Sequence, residues 1–239
     1  MGEIEINNKL KELYSSKMVD LKSPLLEYNN NHKDKATNPL LIKVNEEWEK
    51  ADYKIMIIGQ ETNGWCHECG ENQNFTPNID KSLEVYGEFY LNKIGYKSPF
   101  WNEFRRIKRG LSSDKKIEFC WNNVIKIGRV GVGNSPKINK IKEEFFNVLL
   151  NEIEILKPNI IILFTGPKYD CHVEKYIGKN KTIPISNFSI NELSKVEFEN
   201  LNLKLCLKTY HPNYLYRSGK RERIINEIIN ELNNQINKG

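Results

Sequence analysis

Two apolar runs that both stop at a glycine constrain the fold of this chain more than any other feature. They are "YKIMIIG" (53–59) and "NIIILFTG" (159–166). A strand with one wet face alternates apolar and polar residues, whereas an unbroken apolar run reads as a strand covered on both sides. Such strands belong to parallel sheets with helices packed over them. The rest of the chain supplies the other parts. "EFCWNNVIKI" (118–127) reads as another strand, a weaker one lies near 182–187, and "LKLCLKTYHP" (203–212) reads as the last. Residues 3–14 and 40–50 read as helices joined by the polar loop "NNNHKDKATNP", and "FWNEFRRIKRGLS" (100–112) suits a helix ended by Gly110. "NKIKEEFFNVLLNEIEILKP" places Ile141, Phe145, Leu149 and Ile153 on one helix face. After Gly219, a final helix carries Ile224, Ile225, Ile228, Ile229, Leu232 and Ile236 on one stripe. The alternation predicts an α/β fold with a mainly parallel, helix-covered sheet.

The 239 residues contain no repeat or low-complexity linker, so one domain is expected. No stretch approaches the roughly 20 apolar residues that span a bilayer, and the charged N-terminus lacks the apolar block of a signal peptide. Five cysteines, an odd number in a long chain, argue against a disulfide framework. A cytoplasmic protein with no membrane partner is expected. The net charge of +5 leans weakly toward an anionic partner.

Two polar clusters follow predicted strands directly: "GQETNGW" (59–65) after the first and "YHPNYLYRSGKR" (210–221) after the last. The C-terminal ends of parallel strands share one sheet edge, where α/β proteins bind ligands. The middle strand adds "CWNNV" (120–124), whose adjacent asparagines point to opposite faces. A buried carboxamide costs about 1–3 kcal/mol unless hydrogen-bonded, so one of the pair is expected to face a ligand. A shift of one residue exchanges Asn122 and Asn123. The candidate set is Glu61, His211, the carboxamides of Gln60, Asn63 and Asn123, and the rings of Trp65 and Phe75. Carboxamides read a planar base edge and aromatic rings stack on its face. A carboxylate activates water, and a histidine donates to charge developing on a leaving group.

In this order the motifs resemble those of the uracil-DNA glycosylase superfamily. "GQETN" is similar to the family's G-Q-D-P-Y and places Glu61 where the water-activating Asp stands. "NVIK" (123–126) resembles the middle strand's N-V-V-K and nominates Asn123 as the base reader, with "GNSPKINKI" continuing the pattern. "LNEIEILKPNIIILFTG" resembles the helix–Pro–strand–Gly unit. "HPNYL" (211–215) is similar to H-P-S-P-L, aligning His211 with the family histidine and Leu215 with the side chain that wedges into the duplex. The resemblance runs from about residue 38 to the C-terminus. It implies a three-layer sandwich with a central, mainly parallel four-stranded sheet flanked by helices. Residues 1–37 would form an N-terminal helical extension, and 66–99 a long insertion after the first motif.

The implied activity is hydrolysis of the N-glycosidic bond of a flipped-out deaminated or 5-modified pyrimidine in DNA, by a monofunctional glycosylase without a cofactor. Base repair and defence against modified foreign DNA are both compatible roles. Asn213, Tyr214, Leu215, Arg217 and Lys220, with Arg221, would meet DNA, and no obligate protein partner is expected. The chain departs from the family at Thr62, where a proline is usual, at Asn63, where the uracil-specific branch has a tyrosine, and at Asn213 and Tyr214. A smaller side chain at 63 leaves room for a 5-substituent. The departures also admit a non-catalytic nucleic-acid-binding or regulatory protein on the same fold, or an enzyme acting on free nucleosides. Arg105, Arg106, Lys108 and Arg109 read as a solvated helix face. "CHEC" (66–69) supplies only half of a tetrahedral metal site, and no metal is expected.

Overall fold

The computed structural model of the protein describes residues 2–62, 64–66, 78–92, 96–131, 135–185 and 187–238. Its first elements are α1 (Glu3–Asn31), α2 (Glu46–Lys50), β1 (Tyr53–Glu61), α3 (Ile79–Tyr86), α4 (Pro99–Gly110) and β2 (Ile117–Ile125). Then come α5 (Pro136–Phe145), α6 (Leu149–Leu156), β3 (Ile160–Leu163), α7 (Asp170–Tyr176), β4 (Asn180–Pro184), β5 (Leu193–Phe198), β6 (Leu205–Thr209), α8 (Pro212–Ser218) and α9 (Arg221–Lys238). The chain divides into two compact units. One comprises Met1–Asn45, Glu61–Lys93 and Asn123–Leu156; the other comprises Glu46–Gln60, Ile94–Asn122 and Lys157–Gly239.

The second unit carries most of the sheet, which has six strands in the order β2-β1-β3-β6-β5-β4. The expected number was four. β1, β3 and β6 pair in parallel, with Ile58 opposite Leu163 and Ile162 opposite Leu207. β5 and β4 extend this core antiparallel, so the sheet is mixed. The four residues of β3 are fully buried, as an unbroken apolar run demands. The unanticipated strand, β5, has charged Lys195 and Glu197 between its apolar residues and no clean period of two. Pairing with β6 and β4 makes it a strand. Helices flank the sheet, and α9 buries Ile224, Ile225, Ile228, Leu232 and Ile236 as the stripe predicts. A Cβ on Gly110 would stand 2.7 Å from Ile229 Cδ1, so α4 ends where α9 leaves no room for a side chain.

The first unit departs most from the expected elements. α1 is one helix to Asn31, with Pro24 inside it, where residues 3–14 alone were expected. Its buried residues Ile6, Leu10, Tyr14, Met18, Leu21, Leu25 and Tyr28 recur every three or four positions. That stripe packs on α5 and α6 and carries the helix past its polar middle. Residues 40–44 were expected to be helical and instead have no regular secondary structure. Tertiary hydrogen bonds take their backbone: Leu40 N–H donates to the Lys126 carbonyl at 2.8 Å, and Ile42 N–H to the Tyr14 hydroxyl at 3.2 Å. Asn7 bonds both the N–H and the carbonyl of Val44. The single helix expected around Ile141–Ile153 is broken between α5 and α6. The break buries Phe146 completely, which a straight helix presenting Ile141 and Phe145 inward would turn about 100° away. No helix among the described residues is long and apolar enough to cross a membrane.

Candidate functional site

In the second unit, the tips of β1, β3 and β6 gather three of the sequence features. Gln60 is half-buried, and its Nε2 donates to the Thr165 carbonyl at 2.7 Å. This carboxamide therefore ties the tip of β1 to the residues following β3. Gly166 adopts φ +69° and donates its N–H to the Thr209 carbonyl at 3.0 Å. A Cβ there would meet Tyr210 at 3.7 Å and His211 N at 3.8 Å, ordinary contact, so it is the backbone angle that favours glycine.

His211 caps the N-terminus of α8, its Nδ1 accepting from Asn213 N–H at 3.2 Å. With that lone pair engaged, the neutral ring carries its proton on Nε2. Phe100, in the first turn of α4, stacks on the imidazole with centroids 6.1 Å apart and planes 21° apart. Burial, with a smaller contribution from the Arg217 cation, holds the His211 pKa down to about 4. At neutral pH the ring is an uncharged donor.

In the first unit, Glu61 ends β1 half-buried and is followed by Thr62, which is buried. A Cβ on Gly128 would stand 1.8 Å from the Thr62 carbonyl oxygen, so only glycine permits the backbone after β2 to pass this close. Gly128 also exchanges hydrogen bonds with Thr37: its N–H donates to the Thr37 hydroxyl, and its carbonyl accepts from Thr37 N–H. Asn123 is 4% exposed near the end of β2. Trp65 is buried edge-on against Phe89, with centroids 5.4 Å apart. That packing places it in the interior of the unit.

A model of the uracil DNA glycosylase superfamily matches residues 47–233, a span that contains both strand-tip clusters. The chain belongs to that superfamily. None of the curated proteins compared with it matches.

Among the superfamily-type positions at the C-terminal motif, the structure redistributes the expected roles. Leu215 was expected to protrude as a wedge, but it lies on the inner face of α8 with no exposed surface. The polar stretch around it is a helix, and helical spacing turns Tyr214 and Tyr216 outward at 41% and 37% exposure. Tyr216 is held by its hydroxyl, which donates to Glu103 at 2.8 Å, and by the Arg221 guanidinium over its ring. Tyr214 leans on Tyr210, with centroids 4.4 Å apart. Asn213 and Arg217 are exposed, and among the described residues Arg217 makes no ion pair. Lys220 is paired with Glu192 at 2.9 Å, which raises the lysine's pKa and holds the glutamate's down to about 2. Arg221 and Arg106 both bond Glu222, so these cations brace α4 and α9.

Asn63 and Phe75 lie outside the described residues, as do Gly133, Asn134 and Cys69. Cys66 is buried, and burial raises its thiol pKa. Among the described residues, no group of three His, Cys, Asp or Glu is placed to hold a metal ion. A groove of about 290 Å³ between α1 and α5, lined by Tyr28, His32, Lys137 and Lys140, contains none of the candidate residues. Phe100, Thr165 and Gly128 are structurally central, and sequence reading gave none of them a role. The signal available for Phe100 was "SPFW" (98–101), a helix start with an aromatic in its first turn.

Proposed function

We propose that this chain is a monofunctional DNA glycosylase that hydrolyses the N-glycosidic bond of a flipped-out, deaminated or 5-modified pyrimidine. The observation that carries the proposal is the superfamily match across residues 47–233, with a carboxylate retained at Glu61 and a histidine at 211. Extruding one nucleotide costs a few kcal/mol of unstacking. Tyr214 stacks on the exposed neighbouring bases, and Arg217 meets a phosphate. Asn123 reads the base edge through its paired donor and acceptor. Gln60 acts by holding its strand tip to Thr165.

Hydrolysis adds water at the sugar C1′ as the bond to the base breaks and the base leaves with the bonding pair. Glu61 orients that water and takes up its proton while stabilising positive charge on the sugar. His211, neutral and donating from Nε2, stabilises negative charge on the departing base.

The test is a panel of end-labelled DNAs carrying uracil, hypoxanthine, thymine opposite guanine, 5-hydroxymethyluracil, or 5-hydroxymethylcytosine with and without a sugar. Alkali then cuts at any abasic site. Cleavage of one substrate that disappears with Glu61→Gln is the expected result. Binding without cleavage on every substrate overturns the proposal and leaves a non-catalytic binder.

A further inference from the structure

We infer that Phe100 is a positioning residue for His211: its ring fixes the tilt of the imidazole and excludes water from one of its faces. The inference rests on the proposed role of His211, but its structural basis lies wholly in the second unit. Ser98 caps α4 by accepting from Trp101 N–H at 3.3 Å, and Pro99 occupies the first turn. This fixes the residue between them and the rest of the helix.

The Phe100 ring is then locked on several sides. It meets Phe164 nearly edge-on at 5.9 Å and 79°, Trp101 at 5.3 Å and 85°, and Phe104 at 6.5 Å. Its remaining face covers His211 at 6.1 Å and 21°. Phe100 itself is 8% exposed, so this contact is not a surface coincidence. A ring so held cannot swing aside to admit water. It therefore acts on the imidazole as a fixed apolar wall.

The groups facing His211 from each neighbouring element agree with that reading. α4 offers Phe100, the chain after β3 passes its backbone at the side-chain-free Gly166, and β6 leads into Tyr210, the residue before it. The charged group is Arg217, on the histidine's own helix. The environment disfavours the charged ring on two grounds, a dry wall and a nearby cation. The Asn213 N–H at Nδ1 then leaves Nε2 as the proton-bearing atom.

The experiment follows the His211 ring resonances by NMR against pH in the wild type, Phe100→Ala, Phe100→Leu and Phe100→Tyr, with His211→Asn assigning the signal. Near-ultraviolet circular dichroism confirms that each variant is folded. In the wild type the ring is expected to titrate near pH 4. Phe100→Ala is expected to raise the midpoint by about one unit or more, as water and counter-charge reach the ring, with Phe100→Leu intermediate. Phe100→Tyr, which keeps the ring, restores the wild-type value. The acid limb of kcat/KM on the substrate found above moves up in step with the midpoint. An unchanged midpoint in folded Phe100→Ala overturns the inference. A shifted midpoint with an unmoved acid limb also overturns it, because Phe100 then acts on the ring and not on the reaction. If the wild type cleaves no substrate, the proposed function fails while the NMR midpoint still decides the structural claim.

Discussion

Lys126→Met isolates one buried charge in the first unit, and its cost follows from the surroundings. The Lys126 ammonium lies 2.8 Å from the Glu152 carboxylate, and the two side chains are 1% and 0% exposed. The Tyr14 hydroxyl donates to the other side of the pair, reaching Glu152 Oε1 at 2.7 Å, and accepts from Ile42 N–H. Removing one member of a fully buried pair leaves the other without its counter-charge, at a cost of about 3–5 kcal/mol. A domain's whole stability is about 5–15 kcal/mol, so this is a large fraction. For a chain of this size, each kcal/mol shifts the melting temperature by about 2–4 °C, giving a fall of about 6–20 °C. Tyr14→Phe removes a hydrogen bond to a charged group and costs about 1.5–3 kcal/mol. The double variant Lys126→Met/Glu152→Leu replaces both charges with apolar groups and is expected to recover most or all of the loss. Urea unfolding reads these variants, Glu152→Leu alone and the wild type, with the midpoint falling at constant m-value. If Lys126→Met costs under about 1 kcal/mol, or the double variant loses the sum of the singles, the pair is hydrated and the reasoning fails. The same network ties α1 to the segment after Asn123. Residues 1–37 therefore hold part of this unit's core and are more than an appendage.

Two further outcomes follow from the second unit. Because the folded-state pKa of His211 lies below its ordinary value, the unfolded chain binds the extra proton first as pH falls. Stability is thus complete above about pH 6.5 and is lost on descending to about pH 4, by on the order of 3 kcal/mol. The difference between wild type and His211→Asn in urea midpoint against pH isolates this contribution, and a flat difference across that window refutes it. Tyr214→Ala is expected to weaken DNA binding by about 5- to 150-fold through lost base stacking, with little change in stability. Leu215→Ala is expected to destabilise the fold by about 2–5 kcal/mol. Fluorescence anisotropy with labelled DNA and urea unfolding separate the two, and a Leu215→Ala protein of normal stability that no longer binds DNA reverses the assignment.

The elements legible in the sequence were those whose burial requires a pattern no other structure produces. β1 and β3 are unbroken apolar runs, and α9 is a stripe at helical spacing, so composition and structure coincide there. What escaped was decided by partners distant in sequence. Nothing within Leu40–Val44 announces a non-helical chain; the carbonyl of Lys126, the Tyr14 hydroxyl and the Asn7 carboxamide take up its backbone groups instead. β5 is likewise a strand because β4 and β6 lie on either side of it. Propensity cannot register hydrogen bonds to residues 28, 37 or 86 positions away, which are the ones that overrode it.

The candidate site shows the same division at the level of single side chains. Polar residues at a strand tip were visible because they break an apolar run, and Gln60, Glu61 and His211 were found that way. Orientation was not visible. Leu215 read as protruding because the motif resemblance aligns it with a wedge, a placement that its position in a helix reverses. Once Pro212–Ser218 is helical, residues one apart point about 100° away from each other. The face that buries Leu215 must then expose its neighbours on both sides. The motif's apolar residue becomes the anchor of α8, and the exposed aromatic surface passes to Tyr214. Its ring is backed by Tyr210, the residue immediately before His211. An aromatic surface held in this way can stack on a base without being driven between two of them. Stacking geometry and the tilt of His211 are thus both set by rings that the motif does not contain.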